Sequence, residues 1–314
     1  MGDPRDFRKR LDALNRKPLL RPEKSRGEVD DVRRRVRKLR RHGPQAAVEP
    51  ILYRRDLPRG EPRAQRERVR SGRHVVFEDA VAGTEVRAPN GGSAFVVVAR
   101  VADYGEKWAA LCGAFRDGLR DEDSGVRRRV SALCGTEPVA PGDVIFMDLE
   151  STGLAGTSLF LIGVMDWEGD GLVVRQYFAR DYSEESAVIS LFLDRVARKK
   201  LLVSFNGKSF DLPYVRVRAA TNRVPFRVAA AHLDLLHECR RAWRHVLPDC
   251  RLATLESRIC GRPRHSDIPG CEIPAAYHAF VRTGNAVEIV EILEHNMRDL
   301  VTLADLMMRL PEAT

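Results

Sequence analysis

The sequence lacks long hydrophobic runs and closely spaced cysteines, and aromatic residues make up only 7% of it. No apolar run reaches the roughly 18–20 residues that span a bilayer. Residues 1–5 show no apolar core like that of a secretory signal. We therefore expect a soluble, cytoplasmic protein. With 314 residues and 44% hydrophobic residues, the chain can form one medium-sized domain with extensions.

The six cysteines contain no C-x-x-C pair. Four of them, Cys239, Cys250, Cys260 and Cys271, follow one another about ten residues apart. This spacing is too wide and too even for a zinc ribbon or knuckle. We expect buried, reduced thiols, with a metal or redox cluster as the alternative.

The net charge of +9 is distributed very unevenly. Residues 1–75 hold 24 basic and 11 acidic residues, a net of +13, whereas residues 76–314 hold 29 and 33, a net of −4. Such an asymmetry predicts a polyanionic partner. We expect nucleic acid, with an anionic membrane surface as the alternative.

Composition divides the chain into three parts. Residues 1–75 are rich in Arg and Pro, so we expect a basic, mostly flexible arm. Within it, apolar residues at i, i+4 and i+7 predict a short basic amphipathic helix at 31–40. Residues 76–140 form a small connecting unit, with a strand at 94–99 and a helix at 106–134. Residues 141–314 form the main domain.

Within residues 141–314, apolar runs alternate with helical periodicity. Five strands are predicted, at 144–148, 159–167, 172–178, 201–205 and 232–235. Helices are predicted at 184–198, 252–260, 274–283 and 286–310. This order describes an α/β domain with a mixed five-stranded sheet covered by helices on both faces.

The first chemical motif is Asp148-Leu149-Glu150-Ser151-Thr152-Gly153 at the end of a strand. Residues two apart on a strand point to the same side, so Asp148 and Glu150 can present two carboxylates to one site. Their repulsion would be relieved by a divalent cation, and Mg²⁺ and Mn²⁺ prefer such oxygen ligands. An acidic strand end before a glycine turn is the alternative.

The second motif runs from Phe205 to Tyr214, after a buried strand. Asp211 is predicted to lie near the start of a helix, where its charge also meets the positive end of the helix dipole. Capping is therefore the alternative function of Asp211. Asn206 is expected to fix the loop.

The third motif is His295-Asn296-Met297-Arg298-Asp299, within a long helix. His295 and Asp299 are spaced i and i+4 and share a helix face. Alone, a histidine and an aspartate at this spacing usually only interact with each other on the helix surface. Here Asp299 is the fourth acid in an ordered series.

These motifs, in this order, resemble the DEDD superfamily of 3′–5′ exonucleases, which have a ribonuclease H-like fold. The segment from Asn206 to Tyr214 is similar to the second exonuclease motif of family B DNA polymerases. The segments 250–256, 267–277 and 295–299 are similar to the bacterial YprB-like branch. The resemblance covers roughly residues 141–310.

The resemblance implies a site for two ions of Mg²⁺ or Mn²⁺. It implies that Asp148 bridges them, that Glu150 and Asp299 hold the ion of the attacking water, and that Asp211 serves the second ion. Two cations about 3.5–4 Å apart stabilise the attacking and leaving oxygens of an in-line displacement. Thr152, Asn206 and Phe210 are expected to support the site or contact the substrate.

His295 departs from the pattern, because the superfamily usually has tyrosine at this spacing or histidine one residue further away. We expect it to orient or deprotonate the attacking water. Asp234 lies where relatives often carry another acid, and we treat it as support.

The resulting hypothesis is a metal-dependent 3′–5′ exonuclease acting on single-stranded or frayed nucleic acid. Two alternatives remain: an inactive nucleic-acid-binding protein with the same fold, and a small-molecule phosphodiesterase.

Overall fold

The computed structural model describes residues 74–135, 138–153, 156–264 and 267–311. The basic arm, residues 1–75, lies almost wholly outside the described residues, as does the helix predicted at 31–40. No described helix is both long and apolar enough to cross a membrane.

The described residues form seven strands and nine α-helices. The strands are β1 (Thr84–Arg87), β2 (Ser93–Arg100), β3 (Val144–Ser151), β4 (Leu159–Glu168), β5 (Gly171–Phe178), β6 (Leu201–Ser204) and β7 (Ala231–Asp234). The helices are α1 (Phe77–Ala80), α2 (Glu106–Arg120), α3 (Gly125–Cys134), α4 (Glu185–Val196), α5 (Asp211–Thr221), α6 (Leu235–Trp243), α7 (Leu252–Arg258), α8 (Ile273–Thr283) and α9 (Val287–Arg309).

The strands form one mixed sheet in the order β1-β2-β5-β4-β3-β6-β7. Strand β3 pairs antiparallel with β4 and parallel with β6, and β7 continues the parallel side. The five strands predicted for residues 141–314 are all present. The expected sheet size was wrong, however, because β2 pairs antiparallel with β5 and adds β1 and itself to the sheet. This pairing covers backbone groups that would otherwise be exposed along the edge of β5.

The single helix predicted at 106–134 is divided into α2 and α3. The side chain of Ser124 accepts a hydrogen bond from the backbone N–H of Val126 at 3.2 Å and caps α3. A serine in this position satisfies an N–H group that has no partner within the new helix. The polar stretch 121–124 therefore ends one helix and starts the next.

Alternation along β3 decides which side chains enter the core. Ile145, Met147 and Leu149 belong to one buried cluster, whereas Val144 and Phe146 belong to a second. Because side chains alternate between the two faces of a strand, Asp148 and Glu150 share the face of Val144 and Phe146.

A buried ion pair joins α4, α5 and the loop after β3. Arg218 on α5 makes two contacts of 2.6 Å with the carboxylate of Glu185 on α4. Arg218 also donates to the carbonyl of Gly156 at 2.9 Å, and Glu185 accepts from the backbone N–H of Leu159 at 2.8 Å. These bonds fix the loop between β3 and β4 against the helix that begins at Asp211.

The cysteines are free, but not all are buried as expected. Cys112, Cys239 and Cys260 are buried, and Cys271 is exposed. Among the described residues, no group of three His, Cys, Asp or Glu side chains is arranged to hold a metal ion.

Candidate active site

The end of β3 brings Asp148 and Glu150 to one face of the sheet. In the β3–β4–β5 register, Asp148 lies opposite Gly163, and Gly163 lies opposite Gln176. These three residues form one row across the sheet. Helix α9 crosses this face at the row.

Helix α9 supplies three polar residues to the site. The His295 Nε2 atom lies 3.8 Å from Glu150 Oε1 and 3.5 Å from Asp299 Oδ2. Asn296 is fully buried, and Asp299 is 8% exposed. The i, i+4 spacing places His295 and Asp299 on one helix face, as predicted.

Asn296 links the row of residues beneath it. Its Nδ2 atom donates to Asp148 Oδ2 at 2.8 Å, and its Oδ1 atom accepts from Gln176 Nε2 at 2.9 Å. Gln176 also donates to the carbonyl of Leu293 at 2.7 Å. A Cβ atom on Gly163 would lie 2.0 Å from Asn296 Oδ1. Glycine is therefore required in the strand for Asn296 to reach Asp148.

Asp211 enters the site from the start of α5. The preceding loop is held by Asp234, which accepts from the backbone N–H of Asn206 at 2.7 Å and of Lys208 at 3.1 Å. Asp234 also caps α6 by accepting from the N–H of Leu236 at 3.1 Å. Asp234 is thus a structural residue at the end of β7, which agrees with the supporting role expected for it.

A second set of charged residues, from α7 and the segment after it, contacts α9 or the residues bound to it. Asp267 Oδ1 lies 2.8 Å from His295 Nδ1. Arg264 donates to Asp267 Oδ2 at 2.8 Å and also forms ion pairs with Asp299 and with Glu256. His295 and Asp299 are therefore both in contact with residues that are distant in the sequence.

Burial and mutual repulsion raise the pKa of the two β3 acids. For Asp148, burial acts first, followed by the charges of Asp299, Glu150 and Asp211, while the hydrogen bond from Asn296 opposes them; the pKa lies well above its ordinary value. Burial raises the pKa of Glu150 to about 8, although the charge of His295 opposes the rise. Each of these carboxyl groups is therefore harder to ionise in the metal-free site than in water.

The pKa values of the other two acids, Asp211 and Asp299, are raised as well. Burial raises the pKa of Asp211 to about 7, and the charge of Asp234 contributes to the rise. Burial also raises the pKa of Asp299, against the lowering effects of His295 and Arg264. All four carboxyl groups are thus destabilised as anions in the metal-free site.

His295 and Asp267 shift in opposite directions. Burial alone would lower the pKa of His295, but the hydrogen bond to Asp267 and the charges of Asp299 and Glu150 raise it. Burial alone would raise the pKa of Asp267, but His295 and Arg264 lower it to about 2. These opposite shifts are those of a hydrogen-bonded ion pair.

The three predicted supporting residues lie near the acids but differ in what they contact. The hydroxyl of Thr152 donates to the carbonyl of Ser158 at 3.1 Å and closes the loop after β3. Asn206 adopts a left-handed conformation with φ 65°, which asparagine tolerates better than most residues. Phe210 immediately precedes Asp211 and is 41% exposed.

Comparison with known proteins identifies the fold. The RNase H superfamily model matches residues 145–311, more than half of the chain. The chain belongs to the RNase H superfamily. The expected ribonuclease H-like fold is confirmed.

One curated relative of the RNase H-like domain is the uncharacterized protein YprB of Bacillus subtilis (strain 168). It is 34% identical over 169 residues, which cover 52% of this chain and 41% of YprB. The chain therefore spans less than half the length of this relative. This match confirms the similarity to YprB that the motifs indicated.

A solved structure with a similar region is the family B DNA polymerase of the hyperthermophilic archaeon Pyrobaculum calidifontis. The likeness covers 52% of this chain and 24% of the polymerase, with 18% identity and a TM-score of 0.44.

Members of the RNase H-like superfamily generally use divalent metal ions, and the donors at the end of β3 fit such an ion chemically. Asp148, Glu150, Asp211 and Asp299 offer hard oxygen ligands, and burial first and neighbouring acids second raise their pKa values. Within the described residues these acids do not form a ready coordination sphere. Asp299 is paired with Arg264 and Asp148 with Asn296, so binding a cation requires these contacts to adjust.

The sequence-based prediction assigned no function in the site to five residues: Gly163, Gln176, Glu256, Arg264 and Asp267. Some signals were present. Gly163 and Gln176 interrupt apolar strands, where a lone glycine often marks close approach of another group. Asp267 begins one of the segments that resemble the YprB-like branch, although its contact with His295 is not evident from sequence.

We expect Gly163→Ala to destabilise the protein because its new methyl group would meet the fully buried Asn296. Overpacking of this kind costs about 1–3 kcal/mol. In an Asn296→Ala background the same glycine substitution should cost less than about 0.5 kcal/mol, since the obstructing amide is gone. Urea denaturation of the four proteins measures this coupling.

Gly113→Ala is the matched control. A Cβ atom at Gly113, within α2, meets no atom within 4 Å. This change should leave stability unchanged or raise it by up to about 1 kcal/mol. Equal costs of Gly163→Ala in both backgrounds would contradict the proposed contact.

Proposed function

We propose that this protein is a divalent-cation-dependent 3′–5′ exonuclease that acts on single-stranded or frayed nucleic acid. The observation that carries the proposal is the gathering of four carboxylates around the end of β3, with Asp211 and Asp299 buried and Asp148 and Glu150 partly buried. Burial first, and then the charges of the other three acids, raise the pKa of Asp148. Membership in the RNase H superfamily supports nucleic acid as the substrate.

Asp148, Glu150, Asp211 and Asp299 are the residues that would hold Mg²⁺ or Mn²⁺. Asp148 would contribute to holding both ions, Glu150 and Asp299 to holding the ion that activates the attacking water, and Asp211 to holding the second ion. Bound cations supply Lewis-acid polarisation of the phosphoryl oxygens and stabilise the attacking and leaving oxygens. Asn296 contributes by fixing the direction of the Asp148 carboxylate.

His295 is suited to orient and deprotonate the attacking water. In the metal-free site His295 forms an ion pair with Asp267, and the positive charge of bound cations would favour loss of the Nε2 proton. With Nδ1–H donated to Asp267, the ring in its neutral form presents the Nε2 lone pair between Glu150 and Asp299. The water oxygen would attack phosphorus while Nε2 takes its proton. The P–O3′ bond would break, the 3′ oxygen would receive a proton, and a nucleoside monophosphate would leave.

Phe210 offers a surface for the terminal base. Its ring is partly exposed beside Asp211 and packs against Tyr214, with ring centroids 5.7 Å apart. Stacking of a base on an aromatic ring tolerates any sequence. Residues 1–75, with a net charge of +13, would add affinity for the polyanion without contributing to the chemistry.

One observation favours a second function. Arg264 pairs with Asp299, the acid that would hold a cation on α9. If Arg264 replaced the cation permanently, the domain would bind nucleic acid without hydrolysing it. Metal-dependent hydrolysis separates this function from the first.

The test uses purified protein with Mn²⁺ or Mg²⁺ and with DNA and RNA labelled at either end. The wild-type protein should release mononucleotides from the 3′ end, and EDTA should abolish the release. Asp148→Asn and Asp211→Asn should each lower the rate by at least about 10³-fold, because the cation-binding set that stabilises the transition state is incomplete. Asp194→Asn, which changes an exposed acid on α4, is the control and should keep the wild-type rate.

Three results would reject parts of this proposal. Turnover that resists EDTA would rule out dependence on a cation. Release from the 5′ end would reverse the assigned polarity. Metal-dependent binding without any product would favour the inactive nucleic-acid-binding protein.

The His295–Asp267 pair gives a separate prediction for catalysis. We expect His295→Ala to lower kcat by about 10²-fold or more, the usual effect of losing a positioned acid–base group. Asp267→Ala should lower kcat by about 10–100-fold with little change in KM, because it releases the ring without removing it. Asp267→Asn should recover part of the loss, since its amide oxygen still accepts from Nδ1–H. An Asp267→Ala protein with the wild-type kcat would show that the pair has no catalytic role.

A further inference from the structure

The segment 235–264, which contains α6 and α7, begins and ends beside the candidate site. At its start, Asp234 holds the loop that precedes Asp211 through the N–H groups of Asn206 and Lys208. At its end, Arg264 forms an ion pair with Asp299. The segment is therefore anchored to the carboxylate site at both ends.

This segment is basic within an otherwise acidic domain. Residues 235–264 contain seven arginines, no lysine and three acidic residues, a net of +4. The rest of residues 76–314 contains 22 basic and 30 acidic residues, a net of −8. The positive charge of the domain is thus concentrated in the segment that adjoins the acids.

One face of α6, extended by the C-cap residue Arg244, carries much of this charge. His237, Arg240, Arg241 and Arg244 are all exposed and follow the spacing i, i+3, i+4 and i+7. This spacing places them along one side of the helix, over about 10 Å. The opposite side of α6 is buried in the core through Leu235, Leu236 and Cys239.

The three acids of the segment offset only part of this exposed charge, since Asp249 lies beside Arg251 and, in the described part of the chain, only Arg241 of the exposed row has a carboxylate partner. The side chain of Glu238 is 16% exposed and is shared between Arg241 at 3.2 Å and Arg129 at 3.6 Å. Glu256 is buried and pairs with Arg264. Among the described residues, no carboxylate pairs with Arg240 or Arg244.

We propose that the exposed face of α6 binds the phosphate backbone of the polynucleotide strand beyond the terminal nucleotide. This inference rests on the proposed function and assigns the part of the protein that holds the substrate away from the acids. A row of arginines suits a polyanion with regularly spaced charges. A membrane surface does not fit, because the apolar side of α6 is already buried and cannot enter a bilayer.

The test compares two triple variants of the full-length protein. The first is Arg240→Ala/Arg241→Ala/Arg244→Ala. The control is Arg87→Ala/Arg198→Ala/Arg227→Ala, which removes the same charge from exposed positions on β1, after α4 and before β7. Fluorescence anisotropy with a labelled single-stranded oligonucleotide in EDTA measures binding without hydrolysis, over a series of salt concentrations. Thermal melting of both variants checks that each is folded.

The α6 variant should bind at least 10-fold more weakly than wild type. Its log–log salt dependence should flatten by about 2, since each lost single-strand phosphate contact contributes about 0.7. The control variant should bind much more like wild type. Equal losses in both variants, or wild-type binding by the α6 variant, would overturn the proposal. If the α6 variant bound the oligonucleotide like wild type but no longer bound an acidic protein, the partner of this surface would be a protein, and the proposal would fail.

Failure of this inference is distinct from failure of the proposed exonuclease. An active wild-type enzyme whose α6 variant binds normally would refute the binding surface alone. A wild-type protein without hydrolysis, whose binding still depends on α6, would support the surface and refute the exonuclease.

Discussion

Electrostatic repulsion among four buried or partly buried carboxylates at the end of β3 is the constraint on which the rest of the site depends. Asp148 and Glu150 share one face of a strand and lie close to the charges of Asp211 and Asp299. Burial makes each anion costly, and each neighbour adds to that cost. Asn296, His295 and Arg264 offset part of it. A cation that binds the acids must therefore displace or rearrange the contacts made by these three residues.

The sheet register makes these contacts geometrically possible. Asp148, Gly163 and Gln176 lie in one row across three strands, and the absence of a side chain at Gly163 lets α9 approach. Asn296 then bridges the row from above. The glycine at position 163 thus leaves the room that Asn296 needs to reach Asp148. The direction of the Asp148 carboxylate therefore depends on the pairing of β3 with β4.

The parts of the site that depend on local periodicity could be predicted from the sequence. Strand alternation placed Asp148 and Glu150 on one face, and helical spacing did the same for His295 and Asp299. Contacts between distant segments could not be predicted in this way. Nothing in the local pattern of Arg264 or Asp267 indicates that they reach α9, and the pairing of β2 with β5 depends on an edge that only the folded sheet defines. The YprB resemblance identified the 267–277 segment without explaining its contacts.

The most direct measurement is calorimetric titration of Mn²⁺ into EDTA-treated, dialysed protein, in two buffers with different ionisation enthalpies. Cation binding requires carboxylates, and the pKa of Glu150 is about 8 and that of Asp211 about 7. Binding at pH 6.5 should therefore release protons, and the release should diminish as the pH rises above about 8, where these groups are already ionised. Asp148→Asn should bind Mn²⁺ much more weakly. Absence of saturable binding, or unchanged binding by Asp148→Asn, would contradict a cation site at the end of β3.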